Sequence, residues 1–372
     1  MSDRYSRMKV NQGVADLDDK TVDFAFGFRH DHGGLPTEAI GRIFDYARLI
    51  LNHSPFDRED MWATSLEGCH SPMVKLISNG DRVGFASLMS SVATTPLDKG
   101  FMNYFSYEQL SGSQVARRLE ATQFMDKALS LLGFLGISKV YCPEQGGLDV
   151  GFFGERLVEA FKVNEGRLEP PGAGGGAYGF VSQLGVVTLK DVKSLATAYK
   201  IQDVIKNFPC QRICEIGGGL GFLSYYASKL SRTDYFLYDV PTVSIMQAYF
   251  LMRSLGPENV SLAGEESSRA SVHLRPFWSI FEQDGNSTLW VNQDSLPEID
   301  PNISLKYLEH MSKFASAGFL SINQEAAADN LVGGRQGVVP KLIATYDSSF
   351  RRVWRSRDFL RAGYVEEFYR IN

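Results

Sequence analysis

CEIGGGLGFLS, residues Cys214 to Ser224, places four glycines within five positions, with an acid just before them and an apolar, helix-like run just after. Glycine weakens regular structure but tolerates backbone angles closed to other residues, so such a cluster marks a sharp turn or a close approach. The candidates are a dinucleotide, a phosphate, a sulfonium cofactor, or a tight turn that holds nothing.

The surrounding rhythm sets the context. RICEIGGG reads as an apolar strand running into the glycines, and GFLSYYASKLS as a helix. DYFLYDVP is a strand ending in an acid, and TVSIMQAYFLMRSLG a helix stopped by glycine. SVHLRPFW and TLWVNQDS read as strands, ISLKYLEHMSKFASAG as a helix, and FLSINQE and AGYVEEFYRIN as further strands. Strands alternating with helices of this length predict an α/β fold with a mostly parallel sheet covered on both faces. In such sheets ligands bind beyond the C-terminal strand ends, where the strand order reverses. The glycine loop is predicted to lie there.

The loop departs from two common motifs. A dinucleotide fingerprint wants a third glycine where Phe222 stands, and a P-loop wants a lysine that GLGFLS lacks. What remains is E-x-G-x-G-x-G, from Glu215, Gly217, Gly219 and Gly221. Asp239 ends the next strand, and a carboxylate can accept hydrogen bonds from both hydroxyls of a ribose. Asp239 also reads as a helix cap ahead of Pro241. NAD enzymes carry a similar acid, so it points to a nucleoside more than to one cofactor.

This combination resembles the first motif of class I S-adenosylmethionine-dependent methyltransferases. YDVPTVSIMQAYFL, HLRPFW, LWVNQDSLPEI, FLSINQEA and RVWRS…FLRAGYVEE narrow the resemblance to a family of sugar O-methyltransferases found in glycan and antibiotic-sugar gene contexts. It covers about residues 170–372. It implies a Rossmann-like domain with a seven-stranded, mostly parallel sheet over residues 166–372, preceded by a mainly helical region, 1–165. The implied cofactor is S-adenosylmethionine and the implied partner a small-molecule acceptor, a sugar or glycosylated metabolite.

The resemblance also implies roles. Glu215 anchors the loop and the methionine amino end, Gly217, Gly218, Gly219 and Gly221 line the cofactor, and Asp239 holds the ribose. Val240, Pro276 and Phe277 face the adenine, with Asn292 and Gln293 beside the cofactor. A sugar hydroxyl needs a base to attack a methyl group. The candidates are Asp294, Glu298, Asn323 and Glu325, with Asp294 preferred because it follows VNQ at the mouth of the sheet. His273, inside a strand, and His310, mid-helix, read as structural. Asp294, Glu298 and Glu325 also offer oxygen ligands to a divalent metal, which no spacing demands. A same-fold enzyme acting on a carboxylate, amine or phosphorus oxyanion, a non-catalytic cofactor-binding module, and an NAD enzyme are the alternatives.

The remainder is less specific. PTEAIGRIFDYARLILNH is amphipathic, with Ile40, Ile43, Phe44, Ala47 and Leu51 on one face and Thr37 as the cap. SGSQVARRLEATQFMDKALSLLGFLG repeats the habit through Val115, Leu119, Phe124, Ala128 and Leu132. Residues 1–34 carry little pattern, and the Gly- and Pro-rich residues 166–185 read as a loop, linker or lid. The N-terminal region is expected to cover the acceptor pocket, with a homodimer contact or carrier docking as other roles. Apolar residues make up 44% of the chain and charged residues 22%, as in ordinary globular proteins. A net charge of -5 argues against nucleic acid as the main partner. The basic run SSFRRVWRSRDFLR reads as a structural edge. Four scattered cysteines without a CxxC pair, a polar N-terminus and no long apolar run fit a cytoplasmic protein with no membrane partner.

Overall fold

A computed structural model describes residues 17–30, 33–52, 61–98, 101–140, 142, 144, 151–163, 166–265, 269–314, 316–325, 337–346 and 349–371. The chain divides into two compact units that interleave in sequence. One comprises Met1–His32, Ser90–Thr197 and Asp358–Ala362; the other comprises Gly33–Met89, Ala198–Arg357 and Gly363–Asn372. This division differs from a single cut after residue 165, because residues 33–89 belong with the large sheet.

The second unit is built on eight strands. They are β1 (Arg212–Ile216), β2 (Asp234–Asp239), β3 (Val260–Ser261), β4 (Val272–Pro276), β5 (Thr288–Gln293), β6 (Gly318–Gln324), β7 (Phe350–Arg357) and β8 (Tyr364–Ile371). Their spatial order is β7-β8-β6-β5-β1-β2-β4-β3. All pairs are parallel except β6 with β8 and β8 with β7. The expected seven strands are present, and a two-residue strand, β3, extends one edge. From β1 the chain builds outward through β2 to β4, then returns to β5 on the other flank of β1. The order therefore reverses between β1 and β5, the switch point where open α/β sheets bind ligands.

The sequence forms this sheet because its inner strands are apolar almost throughout, as burial on both faces requires. Every residue of β5 is buried except Gln293, and every residue of β6 except Gln324. Trp290 of β5 and Phe319 of β6 join Cys214, Phe277, Tyr307 and Met311 in the core on one side. At the opposite extreme, the basic run forms β7, an edge strand with most side chains in solvent. Charged side chains along an edge discourage pairing with other chains.

The helix Thr37–Leu51 buries Ile40, Ile43, Phe44 and Ala47 as the amphipathic pattern predicts. Thr37 is its first helical residue rather than its cap, which is Pro36 without a side-chain bond. Phe44 meets Phe85 edge-on at 5.4 Å, and Phe85 meets Tyr249 at 6.2 Å. Arg42 fixes the arrangement. Its guanidinium donates to both oxygens of Glu265 at 2.7 Å and to the carbonyls of Pro257 and Val260 at 2.8 Å.

The first unit holds the helix Gln114–Phe134 and a three-stranded antiparallel sheet of Phe26–Phe28, Tyr178–Ser182 and Gly185–Thr188. Two expectations are corrected here. Part of the supposed loop 166–185 is a β-hairpin strand, and part of the weakly patterned N-terminus is the helix Asp19–Ala25 followed by that sheet's edge strand. Phe180 stacks on Phe124 at 5.9 Å and meets Phe26 and Phe153 edge-on. Phe124, Ala128 and Leu132 of the expected stripe are buried, whereas Val115 is exposed and Leu119 half-buried, and Ala116 and Glu120 are buried there instead.

A buried ion pair organises this unit. Arg29 donates to Asp191 at 2.7 Å, with both side chains almost wholly enclosed, and also to the carbonyls of Ala173 and Val186. Asp191 in turn accepts from the N–H and hydroxyl of Thr188, both at 2.7 Å, which caps the helix Leu189–Asn207. Removing one partner of such a pair strands a charge, so Arg29→Ala is expected to cost about 3–5 kcal/mol of stability. Chemical denaturation of the variant, with the Arg29→Ala/Asp191→Ala double variant recovering part of the loss, checks this.

Candidate functional site

The glycine loop leaves β1 at the switch point and turns at once into the helix Phe222–Ser231. Gly217, Gly219 and Gly221 have φ of 69°, 59° and 89°, a left-handed region that favours glycine. The Gly217 N–H donates to the Tyr238 carbonyl at 2.8 Å, and the Gly221 N–H to the Gly218 carbonyl at 3.0 Å. The room these glycines leave is largely taken by the protein itself. A Cβ at Gly217 would lie 2.3 Å from Ser295 Oγ, one at Gly218 2.4 Å from Leu237 Cδ1, and one at Gly221 2.8 Å from Leu251 Cδ1. Glycine at these three positions lets the loop settle against its own surroundings.

Glu215, beneath the loop, is buried and accepts a hydrogen bond from the Tyr235 hydroxyl at 2.9 Å. Burial, reinforced by the nearby Asp239 charge and opposed by the Tyr235 bond, pushes its carboxyl up to about 8.

Asp239 closes β2 and is 9% exposed. Its Oδ1 accepts the Val240 N–H at 2.8 Å, and its Oδ2 accepts from Gln247 Nε2 at 2.8 Å. The helix Pro241–Leu255 is capped by Val240, with no side-chain bond, so Asp239 is not its cap. The same Gln247 nitrogen donates to the Gly219 carbonyl at 2.7 Å. The loop and the acid, far apart in sequence, thus meet around one amide.

The opposite flank is held by amides. Asn292, wholly buried at the end of β5, donates to the Ile216 carbonyl at 2.8 Å and to Ser295 Oγ at 2.6 Å. Ser295 Oγ donates to the same carbonyl at 2.7 Å. Asn323 donates to Asn292 Oδ1 at 2.9 Å, which ties in β6. Asn292 and Asn323 are braces of the strand ends. Gln293 lies half-buried beside them, and its Oε1 is enclosed without a hydrogen-bond partner.

The remaining sequence candidates divide by environment. Pro276 is buried, and Phe277 packs in the core, while Val240 and the half-buried Trp278 border that core. Asp294 directly follows β5 with φ of 72°, an uncommon conformation for a residue with a side chain, and its N–H donates to the Ile322 carbonyl at 3.2 Å. Glu298 ends the short turn Leu296–Glu298 and is half-buried. Glu325 is held by both guanidinium nitrogens of Arg355 at 2.8 and 2.7 Å, which lowers its carboxyl below the usual range. That ion pair makes it a weak proton acceptor. His273 stacks on Phe236 at 4.4 Å, and His310 is enclosed by Phe281, Trp290 and Phe314. Burial lowers the pKa of both. Among the described residues no group of three or more His, Cys, Asp or Glu side chains is placed to hold a metal ion, and no helix is long and apolar enough to cross a membrane.

Three participants escaped the sequence reading: Gln247, Ser295 and Tyr46. Tyr46, on the helix Thr37–Leu51, is buried near Ser244, Arg275 and Asp239. Spacing offers no signal for it, whereas Ser295 was findable as the small polar residue immediately after the strand-end run VNQD.

No family model matches the chain, and no curated protein matches it by sequence. Solved structures similar to it include the mitomycin 7-O-methyltransferase MmcR, at 15% identity over 49% of this chain and 57% of that one, with a TM-score of 0.36. The match therefore spans little more than half of MmcR. The N-terminal domain of EvdMO1, solved with S-adenosylhomocysteine and D-fucose, is 12% identical over 47% of this chain and 82% of that chain, with a TM-score of 0.34. A 1,6-didemethyltoxoflavin-N1-methyltransferase of Burkholderia thailandensis is 13% identical over 48% of this chain and 78% of that chain, with a TM-score of 0.33. The architecture is read from the strand order itself, not from these likenesses.

The buried carboxyl yields a test. Glu215 binds its proton more tightly folded than unfolded, so its stabilising contribution is complete below the usual carboxyl range. It is lost as pH rises toward about 8. Denaturation across pH 5–8 should show the wild type losing stability relative to Glu215→Gln, with a slope approaching about 1.4 kcal/mol per pH unit.

Proposed function

We propose that the chain is an S-adenosylmethionine-dependent methyltransferase that methylates a hydroxyl of a sugar or glycosylated metabolite. The observation that carries the cofactor reading is the meeting of the Gly219 carbonyl and the Asp239 carboxylate on one buried amide, at the reversal point of the sheet. That junction supplies acceptors for a ribose diol beside a tight left-handed loop, and the loop lacks the third glycine and the lysine that pyrophosphate motifs use. The sugar acceptor rests on the sequence segments quoted above, NQDSLPE foremost.

When bound, the cofactor supplies a methyl group on a sulfonium, an electrophile with a good leaving group. The protein's residues do the rest. Asp239 would hold the ribose hydroxyls, with Val240 and Trp278 as apolar surface for the base. Glu215 supports the loop from below. At the end of β5, Asp294 would take the proton from the acceptor hydroxyl. Positioning and exclusion of water supply most of the acceleration in such a displacement.

Calorimetry of the pure protein with S-adenosylhomocysteine tests the cofactor reading: binding is expected, and Asp239→Ala should weaken it at least tenfold. Absence of heat with both the methyl donor and its demethylated product overturns it. Transfer of labelled methyl to a panel of sugars, carboxylates and amines identifies the acceptor. With that acceptor, Asp294→Ala is expected to leave binding intact and slow turnover at least tenfold; an unchanged rate removes Asp294 from the role.

A further inference from the structure

Gln247 sits in the interior of the helix Pro241–Leu255 and is completely buried. Its Nε2 donates to the Gly219 carbonyl at 2.7 Å and to Asp239 Oδ2 at 2.8 Å. Its Oε1 is enclosed with no hydrogen-bond partner. The amide's orientation follows from chemistry: both neighbours are acceptors, so the nitrogen, with its two hydrogens, must face them.

A buried amide oxygen without a donor costs free energy, and the helix around it is apolar: Ile245, Met246, Ala248, Phe250 and Leu251 are all buried. Packing alone would favour a methionine or leucine there. What the amide adds is a pair of N–H donors that lock two separately built acceptors at a fixed separation. One donor fixes the carboxylate rotamer at the end of β2, and the other fixes the middle of the glycine turn.

Resting on the cofactor reading, we infer that Gln247 is a positioning residue for the nucleoside. It aims the Asp239 carboxylate at a vicinal diol, and it makes recognition of the ribose hydroxyls depend on the loop conformation. Gln247 acts through Asp239 and Gly219 and is not a catalytic residue.

The test uses the full chain and compares Gln247→Met, which keeps size and removes the donors, with the wild type. Melting of the free protein is expected to stay within a few degrees, while affinity for S-adenosylhomocysteine falls at least tenfold in calorimetry. The specific readout is competition by adenosine against 2′,3′-dideoxyadenosine, which lacks the diol. The wild type should prefer adenosine, and the variant should lose most of that preference. An unchanged preference in a variant that still binds S-adenosylhomocysteine overturns the inference and leaves the cofactor reading standing. Failure of the wild type itself to bind overturns both. Should Gln247→Met not fold, Gln247→Glu decides. Its carboxylate repels Asp239 at pH 8, and its protonated form regains a donor, so affinity should recover on lowering the pH to 5.5 by clearly more than any change in the wild type, where Glu215 alone titrates beside Asp239 in this range. Lack of recovery overturns the inference.

Discussion

The close approach of the β1 terminus to the turn after β5 governs the rest of this unit. At the switch point the Ile216 carbonyl receives both Asn292 Nδ2 and Ser295 Oγ, and the next residue, Gly217, lies so near Ser295 that no side chain fits. Two strands on opposite flanks of the reversal are thereby joined beyond their last ladder bonds. A carbonyl at a strand end would otherwise face solvent or a cavity; here two side-chain donors satisfy it, and the chain is forced into the left-handed turn that opens the next helix. Asn323 extends the brace to β6, so three C-terminal strand ends hold common register. Rigidity of this kind is what a site needs when its chemistry depends on aim.

Two acids near the loop are kept in different states by their surroundings. Glu215 accepts from the Tyr235 hydroxyl, and burial favours its neutral form. Asp239 accepts from the N–H groups of Val240 and Gln247 and keeps a small opening to solvent, and its charge is one reason Glu215 holds its proton. Two neighbouring carboxylates would repel each other. Protonating the inner one removes that cost.

The sequence was informative where a local pattern has one physical solution. Alternating strands and helices imply a covered parallel sheet, and a glycine cluster after the first strand can sit only at its C-terminal end. Ile40, Ile43, Phe44 and Ala47 formed a buried helical face because a period of 3.6 is hard to satisfy otherwise. What stayed hidden depends on distant partners. Glu325 looks like a free acid until β7 brings Arg355 against it. Gln247 looks like an ordinary polar residue in a helix until the fold shows that its face is buried against the loop. The membership of residues 33–89 follows from Arg42 meeting Glu265 and from Phe85 meeting Tyr249, contacts spanning more than 150 positions that no periodicity encodes. The hairpin within residues 178–188 was obscured by the glycines before it: Gly174 and Gly176 are left-handed turn residues, but the β-branched Val181, Val186 and Val187 that follow carry the strand signal.

The glycines show why a motif can be right for more than one reason. Their sequence signature suggested space for a ligand, yet Ser295, Leu237 and Leu251 fill the space at three of them. A loop packed so tightly against its own scaffold has little freedom left, and its carbonyls and N–H groups are fixed before any ligand arrives. Ordering a flexible loop on binding would cost conformational entropy; here that ordering is completed by folding. Glycine at these positions lets the scaffold grip the turn, and of the polar groups that grip it, Ser295, Asn292 and Gln247, only Asn292 was a candidate in the sequence.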